Sequence, residues 1–303
     1  MIQSTLDMWH HVLYSLECVF NVLFILAVSL LFYICATQKN YHVNFRVSLM
    51  LIGFGYLICE LGQLSLAVSR MCCIGLDNAP IVEKFTMWKF SGMNVHMFAW
   101  TVLIIERTIA TVFVGVYEAE FRCEFIPAAI CGLVLLLAAL VGYVKVSAPV
   151  GGMDMYILGL QILVTTLSLA ACILILLVNK SSYRKRHSSQ MHLNNRYQID
   201  ENIRAGRYLL PVVFNEFLVK FATSLLSTYS IFFTSIPVGY DTTHLSHAYH
   251  LIFAYQRLFF AISLTVRSEK FKLLMKRNTR IDRIVERQAV ARSSYFDQLK
   301  HMW

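Results

Sequence analysis

The sequence predicts an all-α membrane protein, a seven-transmembrane helix bundle, on three observations. Of its 303 residues, 57% are apolar and only 15% charged, where soluble domains average about 45–50% and 25%. Mean hydropathy is +0.57. The apolar residues also gather into seven runs of the roughly 20 residues that an α-helix needs to cross a bilayer. This composition argues against a soluble enzyme, a disordered chain and a nucleic-acid binder.

The first run, 12–36, follows a segment with no Lys or Arg. It is too long for the roughly 7–15-residue apolar stretch of a signal peptide, so it is expected to stay as the first helix. The second, 47–69, carries Glu60, and the third, 90–113, ends on Glu106 and Arg107. The fourth, 125–144, and the fifth, 155–178, contain no charged residue. The sixth, 208–236, contains Glu216 and Lys220, and the seventh, 247–266, contains Arg257. No Gly/Ser-rich or Pro-rich linker and no internal repeat divides the chain. The expected organisation is a seven-transmembrane bundle over 1–266 and an amphipathic basic helical tail over 267–303.

Charge sets the expected orientation. With the N-terminus outside, the inner segments hold 21 Lys and Arg and the outer segments 4. Lys220 and Arg257, inside spans, complete the total of 27. Cytosolic loops are the basic ones, so the N-terminus is expected outside and the tail in the cytosol. The net charge of +9 is then a topology signal and a surface for anionic lipid; no nucleic-acid partner is expected. Cysteine usage agrees with a membrane interior. Cys18, Cys35, Cys59, Cys131 and Cys172 fall in or beside apolar runs, where they serve as small hydrophobes. Only Cys72 and Cys73 lie clearly in an outer loop, and adjacent cysteines bridge with strain.

Ionisable groups inside spans are costly and are candidates for function. Glu216 and Lys220, four residues apart, share a helix face and can pair within the sixth span, either to ease insertion or as part of a switch. Glu60 and Arg257 sit near the middles of the second and seventh spans. They can neutralise each other if those helices are neighbours, as a packing lock or a signalling contact. With Glu17, they complete the intramembrane charges. On the third span, Met93, His96, Met97, Trp100 and Ile104 form a stripe at helical spacing. Such a stripe serves as core or as the wall of a small-molecule site, with His96, Trp100, Met93 and Met97 as the ligand contacts. His244, His247 and His250 repeat every three residues at the start of the seventh span. A solvated helix end suits them better than a metal site. No G-x-S-x-G, H-E-x-x-H or G-x-x-x-x-G-K-[ST] motif occurs, so neither an enzyme nor a resident cofactor or metal is expected.

Two motifs carry a resemblance. The third span ends Glu106-Arg107-Thr108-Ile109-Ala110-Thr111, with Tyr117-Glu118 downstream. Before the sixth span lies the loop sequence Arg196-Tyr197-Gln198-Ile199-Asp200-Glu201-Asn202-Ile203-Arg204. Together they resemble the nematode serpentine chemoreceptors of class epsilon (Sre), with patterns E-R-x-x-A-T, Y-E and R-[YF]-Q-x-x-E-N-I-R, over essentially the whole chain. The resemblance implies a G-protein-coupled receptor in the plasma membrane of chemosensory neurons. It would detect an environmental small molecule and meet a heterotrimeric G protein through Glu106, Arg107, Arg196 and Arg204. Glu106-Arg107 also resembles the acid–Arg pair of rhodopsin-like receptors, where the Arg holds the inactive state and later meets the G protein. Arg107, at the membrane edge, is expected to reach water by its long stem, so that its loss costs little stability. The seventh span lacks N-P-x-x-Y, the outer loop over 145–154 has no Cys, and none follows Cys172. Rhodopsin-like activation rules therefore do not transfer wholesale. The alternatives are a ligand-gated seven-span channel, which the charge bias opposes, and a metal-dependent membrane hydrolase, for which no convergent His/Asp set is found.

Overall fold

The computed structural model describes residues 2–37, 41–71, 79–114, 117, 125–147, 153–185, 193–234, 244–268 and 271–273. Seven long helices follow in chain order: α1 (Ile2–Thr37), α2 (Val43–Met71), α3 (Ala79–Val112), α4 (Phe125–Ser147), α5 (Met153–Lys185), α6 (Leu193–Thr234) and α7 (His244–Arg267). Most of these helices overrun their apolar cores. α3 starts well before residue 90, and α6 absorbs the whole 196–204 motif, which the sequence reading placed in a loop. In a bilayer every backbone N–H and C=O needs an internal partner, so a helix that starts near the interface extends through it.

Six helices are long and apolar enough to cross a membrane by hydropathy alone. The exception is α7, whose 24 residues include buried Ser246, His247, His250, Gln256 and Arg257. These polar groups point into the bundle, so they lower the hydropathy of α7 without facing lipid. Outward faces are apolar, with Leu26, Leu136, Leu174, Leu225 and Phe232 among many exposed large hydrophobics. The protein is an all-α multi-pass membrane protein.

Around the bundle, α1 packs on α2 and α7, α5 on α6, and α6 on α7, while α3 touches α2, α4, α5 and α6. That puts α3 in the middle. Its closest neighbour is α2, because glycine lets the two backbones meet. A Cβ at Gly62 would lie 2.7 Å from Lys89 N and 2.8 Å from Phe85 O, and one at Gly92 would collide with Cys59 N. Small residues at the crossing are how membrane helices approach closely without a hydrophobic driving force. The apolar core collects Phe24, Leu31, Phe45, Ile52, Leu103 and Phe260. Cys35, Cys59 and Cys172 are buried, and Cys18 and Cys131 half-buried, all as free thiols. Cys72, Cys73, Cys123, Glu118 and most of the 267–303 tail lie outside the described residues.

Candidate functional site

Three polar clusters stack inside the bundle, and each joins helices that the sequence alone could not place together. The first surrounds Glu216 of α6. Tyr56 of α2 donates its hydroxyl to Glu216 Oε2 at 2.6 Å. His96 of α3 places Nε2 3.2 Å from Glu216 Oε1, and its Nδ1 lies 2.8 Å from the Met93 carbonyl. The His96 ring also stacks on Tyr56, with centroids 4.6 Å apart. Lys220 turns the other way: Nζ donates to Gln161 Oε1 of α5 at 3.1 Å and lies 4.6 Å from the Phe253 ring centre of α7. Glu216 and Lys220 therefore do not bond to each other, contrary to the intrahelical pair suggested by their spacing. An i,i+4 pair is worth only about 0.2–0.5 kcal/mol on a helix surface, and each side chain finds a better buried partner on another helix.

A small, partly open cavity lies in this cluster, lined by His96, Met97, Trp100, Gln161, Val164, Thr165, Glu216 and Lys220. Its volume of about 10 Å³ has room for about one water molecule, far below the roughly 300–1,000 Å³ of ordinary ligand pockets. His96, Met97 and Trp100 line it, and Met93 does not; Met93 contributes its carbonyl to His96 instead. Tyr56, Gln161 and Gln256 were not singled out from sequence, since a lone uncharged polar residue in an apolar run carries no signal of its direction.

The second cluster lies between α1, α2 and α7. The Glu60 carboxylate pairs with Arg257 Nε, and both side chains are almost wholly buried. Arg257 Nη1 also approaches Cys59 Sγ at 3.4 Å, and Gln63 Nε2 donates to Glu17 Oε1 at 2.6 Å. The structure thus brings together the two midspan charges that sequence could pair only conditionally. Beside it, His247 and His250 are buried, which corrects the solvated-end reading of the histidines. The neighbouring helix α1 covers His247, with His10 Nδ1 2.8 Å from His247 Nε2 and Tyr14 edge-on to the same ring, while His250 Nδ1 lies 3.3 Å from Lys89 Nζ of α3. Only His244 is exposed, and among the described residues no three His, Cys, Asp or Glu side chains form a metal-binding group.

The third cluster sits at the opposite end of α3. Arg107 pairs with Glu106 through Nε and Nη2, reaches Asn202 Oδ1 of α6 with Nη1 at 3.3 Å, and stands 3.8 Å from Glu201. The Phe45 ring of α2 covers its guanidinium. Asn202 Nδ2 donates to the Ala110 carbonyl at 3.1 Å, and the His42 backbone N–H donates to Glu201 Oε1 at 2.8 Å. The Tyr117 hydroxyl donates to Glu106. Burial, with the Glu106 charge added, pushes the Tyr117 phenol well above its ordinary value, so it keeps the proton it donates. Arg107 is 3% exposed, and the expectation that its head reaches water fails. The cause is α6, whose first turns, ahead of residue 208, cover this end of α3. Arg196 and Arg204 lie half-buried on α6; the residues of their motif that meet Arg107 are Glu201 and Asn202.

A seven-helix membrane bundle with a small polar cavity toward one end and a buried Arg–carboxylate clasp at the other has the organisation of a seven-helix receptor. Residues 78–303 match the family Sre G protein-coupled chemoreceptor. The chain belongs to that family and is a chemosensory receptor. The match begins just before α3, so α1 and α2 lie outside it, short of the whole-chain extent implied by the motifs. No curated protein matches the chain.

Proposed function

We propose that this receptor detects an environmental small molecule in the cavity around His96 and Trp100 and signals to a cytosolic heterotrimeric G protein from the Arg107 end. The reading places the receptor in the plasma membrane of chemosensory neurons, with its N-terminus outside, and assigns it no enzymatic activity. The observation that carries it is that α3 and α6 own both sites. His96 and Arg107 are separated by about 16 Å along α3, and Glu216 and Glu201 by about 22 Å along α6, at 1.5 Å per residue. Between the α6 sites lies Pro211, inside the helix. A proline there removes the hydrogen bond to the Arg207 carbonyl and weakens the helix at that turn. A ligand that alters the Glu216 contacts therefore acts on a helix with one missing backbone hydrogen bond, whose far end clasps Arg107. Only a ligand with different affinities for the clasped and released states shifts that population.

A tag before Trp9 on intact cells tests the orientation. Antibody reaches it if the N-terminus is outside, whereas a tag after Trp303 is reached only after permeabilisation. The reverse pattern contradicts the receptor reading and favours the inverted ligand-gated channel. Signalling is tested in cells expressing the receptor, with a chemical panel and a calcium or cyclic-nucleotide reporter. A response that requires Trp100 and is abolished by removing heterotrimeric G proteins is the expected outcome.

A further inference from the structure

The His244 end of α7 is tied to its neighbours by two hydrogen bonds that a proton can break. One joins it to α1, where His10 Nδ1 lies 2.8 Å from His247 Nε2. A bond between two imidazoles holds a single hydrogen, given by one nitrogen and accepted by the other. The second joins it to α3, where Lys89 Nζ lies 3.3 Å from His250 Nδ1. An ammonium only donates, so His250 Nδ1 is the acceptor and carries no hydrogen.

Acid acts on the two contacts differently. One proton on His250 Nδ1 replaces its lone pair with an N–H that faces the Lys89 ammonium, so a bond becomes a repulsion. The His10–His247 pair keeps its bond after one proton, as imidazolium to imidazole, and loses it when both rings are charged. His244 stacks on His10 with centroids 6.2 Å apart and adds a third imidazole beside that charge. The other titratable and charged groups come from every neighbouring helix. On α1, Tyr14 meets the His247 ring edge-on, and Glu17, two turns in from His10, accepts from Gln63. On α2, Glu60 pairs with Arg257 of α7 and lies within Coulomb reach of Lys89. On α7, the Tyr249 ring centre stands 5.9 Å from Lys89 Nζ. Both carboxylates sit deeper in the bundle with partners of their own, while imidazoles, phenols and an ammonium flank the two contacts. His247 and His250 are each 3% exposed, but His10 is half-buried and His244 exposed, so water reaches the cluster. Imidazole is the side chain that ordinarily changes charge near pH 6.5, about where acidic and neutral surroundings differ.

We propose that the ends of α1, α3 and α7 around His10, Lys89, His247 and His250 form a proton-detecting site, in which acid opens the His10–His247 and Lys89–His250 contacts and frees the end of α7. The ligand is the proton itself, and the site is separate from the His96 cluster. Its effect passes inward along α7, which also carries Phe253 and Arg257 against Lys220 and Glu60. That the acid comes from the exterior rests on the N-terminus being outside.

The test uses full-length receptor in nanodiscs, with spin labels introduced by non-cysteine chemistry at Met8 of α1 and Trp88 of α3, both exposed. Pulsed dipolar spectroscopy then reports how far α1 stands from the middle of the bundle. Lowering the pH from about 7.5 to about 5.5, across the ordinary imidazole range, is expected to add a longer-distance population that disappears when the pH is restored. His247→Gln with His250→Asn keeps hydrogen-bonding groups at both positions that take up no proton, and should hold the neutral distribution at both pH values. His11→Gln, an exposed neighbour on α1, should leave the acid response intact. His250→Lys sets a permanent ammonium against Lys89 and should show the longer population already at neutral pH, which keeps the test decisive if the Gln and Asn side chains fail to hold the contacts. Identical distributions at both pH values in the unsubstituted receptor overturn the proposal. So does an acid response that survives the double substitution, or a His250→Lys chain that keeps the neutral distribution. Both faces of a nanodisc meet the same buffer, so these outcomes stand apart from the orientation, which the tag at Trp9 decides.

Discussion

Removing one member of the Glu60–Arg257 pair strands a charge that has no route to water. Glu60 is 0% and Arg257 2% exposed, and the carboxylate meets Arg257 Nε directly. In soluble interiors, breaking such a pair costs about 3–5 kcal/mol. In membranes, polar contacts measure less, because the unfolded reference state also finds partners. Arg257 here keeps Cys59 as a weak second partner at 3.4 Å, so Glu60→Gln is expected to cost about 2–3 kcal/mol. Arg257→Gln should cost somewhat more, since it leaves the Glu60 carboxylate close to Glu17. The double substitution replaces two charges with two amides that can bond to each other. It should cost less than the sum of the singles by about 0.5–3 kcal/mol, the range for residues in direct contact. Equilibrium unfolding of purified receptor in a mixed-micelle denaturant series measures all four corners of this cycle. Additivity within about 0.5 kcal/mol would refute the pairing.

Three further outcomes follow from the packing. Asn202→Ala removes the α6 side chain that bonds both Arg107 and the Ala110 carbonyl without stranding a carboxylate. It should raise basal signalling in a reporter assay at unchanged surface expression, whereas Arg107→Ala, which leaves Glu106 and Glu201 unanswered, should lower surface expression several-fold by flow cytometry. Pro211→Ala restores the helical hydrogen bond to Arg207 and should raise the Tm while reducing the maximal response. Gly92→Val drives a side chain into the Cys59 backbone, an overpacking that costs about 1–3 kcal/mol or more; the variant should fail to reach the surface, with Gly132→Val, where nothing lies within 4 Å, as the tolerated control.

The bundle was legible in the sequence because a bilayer demands long apolar helices, and that demand overrides most local detail. The runs around residues 125–144 and 155–178 needed nothing more. α7 shows the limit of hydropathy, since its inward His250, Gln256 and Arg257 hide a span that position and length reveal. The site was half legible. Charge in an apolar run marks Glu60, Glu216, Lys220 and Arg257 as candidates, but which charge meets which depends on how helices are arranged. Spacing along one helix therefore paired Glu216 with Lys220, and the fold sent them to α2, α3 and α5 instead. Uncharged Tyr56, Gln161 and Asn202 complete the clusters, and only tertiary contact shows that they face inward. The burial of Arg107 was missed for a similar reason. A residue at the end of an apolar run is open to water unless a neighbouring helix continues past it, and the first turns of α6 do so.

The central claim is that the Glu216 cluster and the Arg107 clasp are coupled through α6. Spin labels introduced by non-cysteine chemistry at Thr108 of α3 and Tyr197 of α6, both exposed, report the separation of the two helices at the clasp by pulsed dipolar spectroscopy. Glu216→Gln perturbs the distant cluster and touches nothing near either label. The account predicts that Glu216→Gln adds a population with a longer Thr108–Tyr197 distance, matching the one produced by Asn202→Ala. Distance distributions that superimpose on that of the unsubstituted receptor, in a Glu216→Gln chain whose Tm has shifted, would contradict it.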